Sequence, residues 1–100
     1  MKKNRTVETI AAQAGVGADK AFGAVSVPIY LSAIYRYERF GRNLGFDYSR
    51  GENPTRQATE KALADLEGGT RAVAFSSGMA AISALMTLFR TGDHILCSDD

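Results

Sequence analysis

Arg71-Ala72-Val73-Ala74-Phe75-Ser76-Ser77-Gly78-Met79-Ala80-Ala81-Ile82-Ser83-Ala84-Leu85-Met86-Thr87-Leu88-Phe89-Arg90 is the stretch on which the fold turns. Residues 71–75 are a short apolar run and read as a strand. Residues 76–79 are a small-residue turn. Residues 80–89 continue as an apolar helix. A strand, a tight turn and a helix start, in that order, make an anion site. The first N–H groups of a helix have no partner within it, and the helix dipole adds partial positive charge there. A phosphate fits such a place without a charged side chain. Gly78 has no Cβ to hold an anion off the backbone. Ser76 and Ser77 each offer a hydroxyl for capping or for hydrogen bonding to a ligand.

Outward from this stretch, the C-terminal side turns at Thr91-Gly92-Asp93 and opens a second apolar run, His94-Ile95-Leu96-Cys97. Ser98-Asp99-Asp100 falls at its carboxyl end, where open α/β sheets bind ligands. Strand, helix and strand in this order imply a parallel sheet with a crossover helix. In the helix, Ile82, Leu85, Met86 and Phe89 form the main apolar stripe. Met79, Ala80, Ala81, Ala84 and Leu88 widen it nearly all round, so the helix is expected between two layers. Parallel sheets carry helices on both faces, and these residues supply too few elements for that. The chain is therefore expected to be an N-terminal part of a larger α/β domain.

On the N-terminal side, Asn53-Pro54-Thr55 is a helix start, with Asn53 as N-cap and Pro54 at the first helical position. Ala58 or Thr59, Ala62, Leu63 and Leu66 mark one face, and Gly68-Gly69 ends the helix. This helix reads as structural. Before it, residues 23–32 alternate apolar and polar positions, but Pro28 keeps them out of a central strand. They read as an extended arm lying on another surface. Residues 33–46 interleave Tyr35, Tyr37, Phe40 and Phe46 with Arg36, Arg39 and Arg42. That pattern can bind single-stranded nucleic acid; the competing reading is an arm whose aromatics pack on a partner. Tyr48 and Arg50, two apart in an extended segment, would point the same way and clamp a phosphate or carboxylate. Residues 6–15 read as a short helix capped by Thr6 or Thr9 and stopped by Gly15, followed by a loop over 16–22.

Composition narrows the classes. One hundred residues with a net charge of +1 carry no overall bias toward nucleic acid or membranes. The charge is uneven, however: nine of the twelve basic residues, but five of the eleven acidic ones, fall by Arg56. The first half thus offers arginines to something anionic, including a second copy of the chain. The single cysteine, Cys97, excludes an internal disulfide and fits a reducing compartment. Met1-Lys2-Lys3 is not followed by a signal-peptide apolar stretch, and no run is long enough to span a membrane. A cytoplasmic location is expected. The sole histidine, His94, lacks the neighbours of a metal site or a triad.

Taken together, Tyr48-Ser49-Arg50, Asn53-Pro54-Thr55, Leu66-Glu67-Gly68-Gly69 and Ser76-Ser77-Gly78-Met79-Ala80-Ala81 resemble the cysteine/methionine-metabolism (trans-sulfuration) family of pyridoxal-phosphate (PLP) enzymes. That family includes cystathionine γ-synthases, cystathionine lyases, methionine γ-lyases and O-acetylhomoserine sulfhydrylases. Gly23-Ala24-Val25 and Pro28-Ile29 resemble its N-terminal arm. The likeness runs from about Thr9 onward. Two positions depart from it: Glu52 stands where the family has Gly before Asn-Pro-Thr, and Gln13 where it often has His.

The resemblance implies an α/β fold, with residues 1–53 as an arm contacting a neighbouring subunit. Residues 54–100 would open the fold type I (aspartate aminotransferase-like) cofactor domain. It implies pyridoxal 5'-phosphate as cofactor. Gly78 and Met79 would hold its phosphate by their amides, with Ser77 beside them. Tyr48 and Arg50 would reach the phosphate of the neighbouring subunit, in a homodimer or homotetramer. The activity implied is β/γ-elimination or γ-replacement on a small sulfur amino acid, of the cystathionine γ-synthase or cystathionine lyase type. Methionine γ-lyase or O-acetylhomoserine sulfhydrylase chemistry is the alternative within the family. None of Lys2, Lys3, Lys20 and Lys61 matches the family's Schiff-base lysine, so no catalytic residue is assigned here. A partner of nucleic acid or membrane is not expected. The alternatives from another class are a non-catalytic remnant and a nucleic-acid-binding arm built on residues 35–42.

Overall fold

A computed structural model describes residues 5–99; Met1, Lys2, Lys3 and Asp100, noted above, lie outside the described residues. The element order is α1 (Val7–Ala12), β1 (Tyr37–Arg39), β2 (Arg42–Asn43), α2 (Pro54–Leu66) and α3 (Gly78–Met86). The helix expected over 6–15 is the shorter α1, and Thr6 caps it by accepting from the Thr9 amide at 3.4 Å. α1 packs against α2.

The arm contains structure that alternation and composition did not reveal. Residues 33–49 fold back on themselves as a long antiparallel hairpin. At its tip, β1 and β2 pair across Phe40-Gly41, with Tyr37 opposite Asn43 and Arg39 opposite Arg42. At its base, Ile34 bridges to Tyr48. Tyr35 donates its N–H to the Asp47 carbonyl at 2.9 Å, and Ser49 donates to the Ala33 carbonyl at 2.9 Å. Tyr35 and Phe46 meet across the hairpin with ring centroids 5.6 Å apart and tilted by 44°. Cross-strand aromatic pairs of this kind hold register. Arg42 pairs with Glu38 at 2.8 Å. Two aromatics, Tyr35 and Phe46, and one arginine, Arg42, of the interleaved pattern are thus used inside the hairpin.

α2 begins as its sequence dictates. The Asn53 side chain accepts from the Thr55 and Arg56 amides at 2.9 and 3.3 Å, and Pro54 occupies the first turn. Its end is equally local. Gly68 adopts a left-handed φ of 65°, and Gly69 donates to the Ala64 carbonyl at 2.8 Å. That is the glycine-terminated cap in which a left-handed residue closes a bond back to the last turn. Ala64, on the face toward the loop, is the buried apolar residue of this helix.

The strands expected at 71–75 and 94–97 form no ladder among the described residues. A strand exists only by pairing, and among the described residues no backbone hydrogen bond joins the two runs. Instead Ala74 donates its N–H to Glu60 of α2 at 2.9 Å. α3 ends at Met86 rather than continuing to Phe89. Leu88 and Phe89 donate to carbonyls three residues back, a tighter turn. The helix expected between two layers is uncovered within this chain: Ile82, Leu85 and Met86 are 48%, 50% and 43% exposed. A radius of gyration of 17.4 Å agrees with that openness, since a compact chain of this length has about 13 Å. Among the described residues no other element packs on α3.

Candidate functional site

The start of α3 is built as the sequence suggests. Ser77, with extended backbone at φ −155° and ψ 159°, is the N-cap, and its Oγ accepts from the Ala80 amide at 3.1 Å. Its carbonyl accepts from the Ala81 amide at 3.1 Å. The Gly78 and Met79 amides, in the first turn, have no protein acceptor among the described residues. A Cβ placed on Gly78 would meet nothing within 4 Å, so the first residue of the helix is uncrowded. Two free N–H groups, a serine hydroxyl and the positive end of a helix dipole together suit a phosphate. Of the two serines offered by the sequence, Ser77 is the cap; Ser76 lies one residue earlier, in the bend.

Tyr48 and Arg50 are also brought together, by a route other than the one expected. Residues 49–51 form a turn rather than a strand, and both Gly51 and Glu52 donate to the Tyr48 carbonyl at 3.0 Å. The turn lays the Arg50 guanidinium over the Tyr48 ring, 5.1 Å from its centroid. A cation on an aromatic face is attracted by the ring quadrupole. The clamp is therefore a stacked pair, and its phenol and guanidinium share a side. Among the described residues no hydrogen bond joins it to Ser77, Gly78 or Met79. Arg50, Arg56, Glu60 and Ser76 line a common cleft of about 990 Å³ between α2 and residues 70–76.

Sequence reasoning missed the polar network at the base of the arm. Asn53, read only as a cap, also donates through Nδ2 to the Tyr30 carbonyl at 3.2 Å, the Tyr35 hydroxyl at 3.2 Å and Ser49 Oγ at 3.1 Å. Thr55 Oγ1 accepts from the Tyr30 amide at 2.9 Å and donates to the Pro28 carbonyl at 3.3 Å. The arm thus lies across the start of α2 of its own chain. Arg56 donates to the Ser49 carbonyl at 3.2 Å and to the Gly51 carbonyl. It also pairs with Glu60 at 3.5 Å. The four-residue spacing of Arg56 and Glu60 was a legible signal for an ion pair. The carbonyl partners were not legible.

Asp19, in the loop after α1, was likewise passed over. It is buried, and its carboxylate accepts from the amides of Ala24 at 3.0 Å, Ala21 at 2.9 Å and Phe22 at 3.3 Å. The Ala24 and Ala21 bonds hold its carboxyl below the ordinary aspartate range. Its role is to shape the loop. Among the described residues no cluster of side chains could hold a metal ion, and no helix is long and apolar enough to cross a membrane.

The family described as "Cys/Met metabolism PLP-dependent enzyme" matches residues 8–100. The chain is 54% identical over 94 residues to a cystathionine gamma-synthase/O-acetylhomoserine (thiol)-lyase of Bacillus subtilis, covering 94% of the chain and 25% of that protein. It is 47% identical over 95 residues to a cystathionine beta-lyase of Lactococcus lactis, covering 95% of the chain and 25% of that protein. Among solved structures, it superposes on cystathionine gamma-lyase from Lactobacillus plantarum, complexed with L-serine, with a TM-score of 0.78 and 43% identity. That match covers 90% of the chain and 23% of the other. The chain spans about a quarter of the length of the curated relatives it matches. At these identities the likeness extends to the fold: the chain carries the arm and the first elements of a fold type I, PLP-dependent α/β domain.

Proposed function

Because the chain belongs to the Cys/Met metabolism family of PLP-dependent enzymes, we propose that its residues serve an enzyme that makes or breaks carbon–sulfur bonds in small amino acids. The reaction would be β- or γ-elimination, or γ-replacement, of the cystathionine synthase or lyase type. The observation that carries the reading is the start of α3, where Ser77 completes the cap yet leaves the Gly78 and Met79 amides without a protein acceptor among the described residues. These residues fit the phosphate end of the family's cofactor.

Each group then has a task. The Gly78 and Met79 amides and the Ser77 hydroxyl hold the phosphate of the subunit's own cofactor. Tyr48 and Arg50 present a phenol and a guanidinium to the phosphate of a neighbouring subunit. Residues 1–53 act as the intersubunit arm and residues 54–100 open the cofactor domain. Three exposed apolar side chains on the arm, Phe22, Leu31 and Phe40, support its packing on another surface. When bound, the cofactor supplies an electron sink for bond breaking at the amino-acid Cα. The segment anchors that group against rotation and loss, and does not itself move protons.

The test is turnover by the full-length protein loaded with pyridoxal 5'-phosphate. Release of a 2-oxo acid and a thiol from cystathionine assigns it as a lyase. Formation of cystathionine from cysteine and an activated homoserine ester assigns a synthase. Cofactor binding with neither reaction would overturn the proposal.

A further inference from the structure

The Arg56 side chain is 33% exposed and that of its partner Glu60 20% exposed. Neither has a part in the cofactor reading above. Yet Arg56 sends two of its N–H groups to backbone carbonyls on either side of Arg50: Nη1 to Ser49 at 3.2 Å, and Nη2 to Gly51. The carbonyls of the two residues that flank Arg50, Ser49 and Gly51, are thereby held by one rigid fork. Arg56 Nε faces Glu60 Oε1 at 3.5 Å. The same Glu60 oxygen accepts from the Ala74 amide at 2.9 Å. Ala74 lies in the run that leads directly into Ser77, Gly78 and Met79.

The geometry assigns Arg56, backed by Glu60, as the positioning residue for the Tyr48–Arg50 clamp. It fixes the 49–51 turn from which Arg50 leaves the backbone, and refers that turn to the stretch carrying the second phosphate-binding group. The assignment rests on the reading of Arg50 as a phosphate ligand. The physical argument is preorganisation. A clamp already held in its bound shape loses less freedom on binding, so its affinity is higher. Only a planar guanidinium can satisfy both carbonyls and the carboxylate at fixed angles. A lysine ammonium keeps the charge but not the fork.

The test is a mutant cycle in the full-length protein, read as pyridoxal 5'-phosphate affinity by titration of the cofactor-free form. Arg56→Lys is expected to weaken binding about tenfold, the loss of roughly one charge-assisted hydrogen bond's net worth. In an Arg50→Ala background the same Arg56→Lys change is expected to have no further effect, because it acts through Arg50. Glu60→Gln, which keeps an acceptor for the Ala74 amide, should act in the same direction and be silenced in the same way. It carries the cycle if Arg56→Lys does not fold. Thermal unfolding of the cofactor-free forms is measured alongside; a merely structural role would lower affinity equally in both backgrounds, and that result overturns the assignment. Unchanged affinity in Arg56→Lys, with Arg50→Ala weakened, overturns it while leaving Arg50's role intact. Unchanged affinity in Arg50→Ala removes the phosphate reading, and the assignment with it.

Discussion

Gly78 is the residue at which the proposed phosphate site and the helix backbone can be tested separately. It is the first residue of α3, it follows a serine in extended conformation, and nothing stands within 4 Å of its absent Cβ. Proline is tolerated at such a position and favours an extended residue before it. Gly78→Pro should therefore preserve α3 while deleting one donor to the phosphate, costing about 1.5–3 kcal/mol of cofactor affinity. Helix content by circular dichroism and cofactor titration read the two effects separately. Arg50 contributes by charge. Arg50→Ala should weaken cofactor retention by roughly 2 kcal/mol or more, as for a charge-assisted bond to phosphate. Asp19 contributes neither donor nor cation to the ligand, but its carboxylate organises three amides. Its folded-state pKa lies below the unfolded value, so its stabilisation is fully present above the ordinary aspartate range and is lost as pH falls through the folded value. Amide-exchange protection at Ala21, Phe22 and Ala24 should be flat from neutral pH down to that range and collapse below it.

At the level of elements, α2 is the hub. Its N-cap residue does two jobs with two ends of one amide group. Oδ1 closes the first turn of the helix, and Nδ2 holds the arm at Tyr30, Tyr35 and Ser49. Asn53→Asp keeps the acceptor and removes the donors. It should leave α2 capped while freeing the arm, seen as faster amide exchange at Tyr35 and Ser49 with little change along α2. Asn53→Ala should add the loss of the cap, about 1 kcal/mol. Equal protection of the arm in wild type and Asn53→Asp would show that the hairpin's own ladder suffices to hold it. α3 is uncovered among the described residues, with Ile82, Leu85 and Met86 about half exposed.

For the whole molecule, the relation between the two groups proposed to hold phosphate matters most. Ser77, Gly78 and Met79 sit at one helix start, and Tyr48 and Arg50 sit at the base of a hairpin, with no hydrogen bond between them among the described residues. If one subunit supplies the first group and its neighbour the second, the two kinds of defect complement each other. Mixing full-length Arg50→Ala and Gly78→Pro subunits should then restore intact sites in mixed dimers, roughly a quarter of all sites at random pairing. Cofactor occupancy at a concentration too low to load either variant alone is the readout. No recovery on mixing would place both groups in the same subunit's site.

By itself the sequence determined the features that depend on near neighbours in the chain. The Asn53-Pro54 start and Gly68-Gly69 end of α2 were legible; for α1 and α3 the cap was narrowed to Thr6 or Thr9 and to Ser76 or Ser77, and the structure selects Thr6 and Ser77. Caps and glycine turns close their hydrogen bonds within a few residues, so local spacing suffices to place them. The order of the short motifs likewise identified the family and its cofactor. Tertiary structure alone decided what depends on residues far apart in sequence. It folded residues 33–49 into a hairpin whose alternation is broken by glycines and charges. It made the Tyr48–Arg50 clamp a turn rather than a strand, gathered the arm on Asn53 and Thr55, and set Glu60 against Ala74. It also left residues 71–75 and 94–97 without a ladder. A strand is defined by a partner, and a buried polar network by acceptors contributed from elsewhere; neither is encoded in the spacing of its own residues.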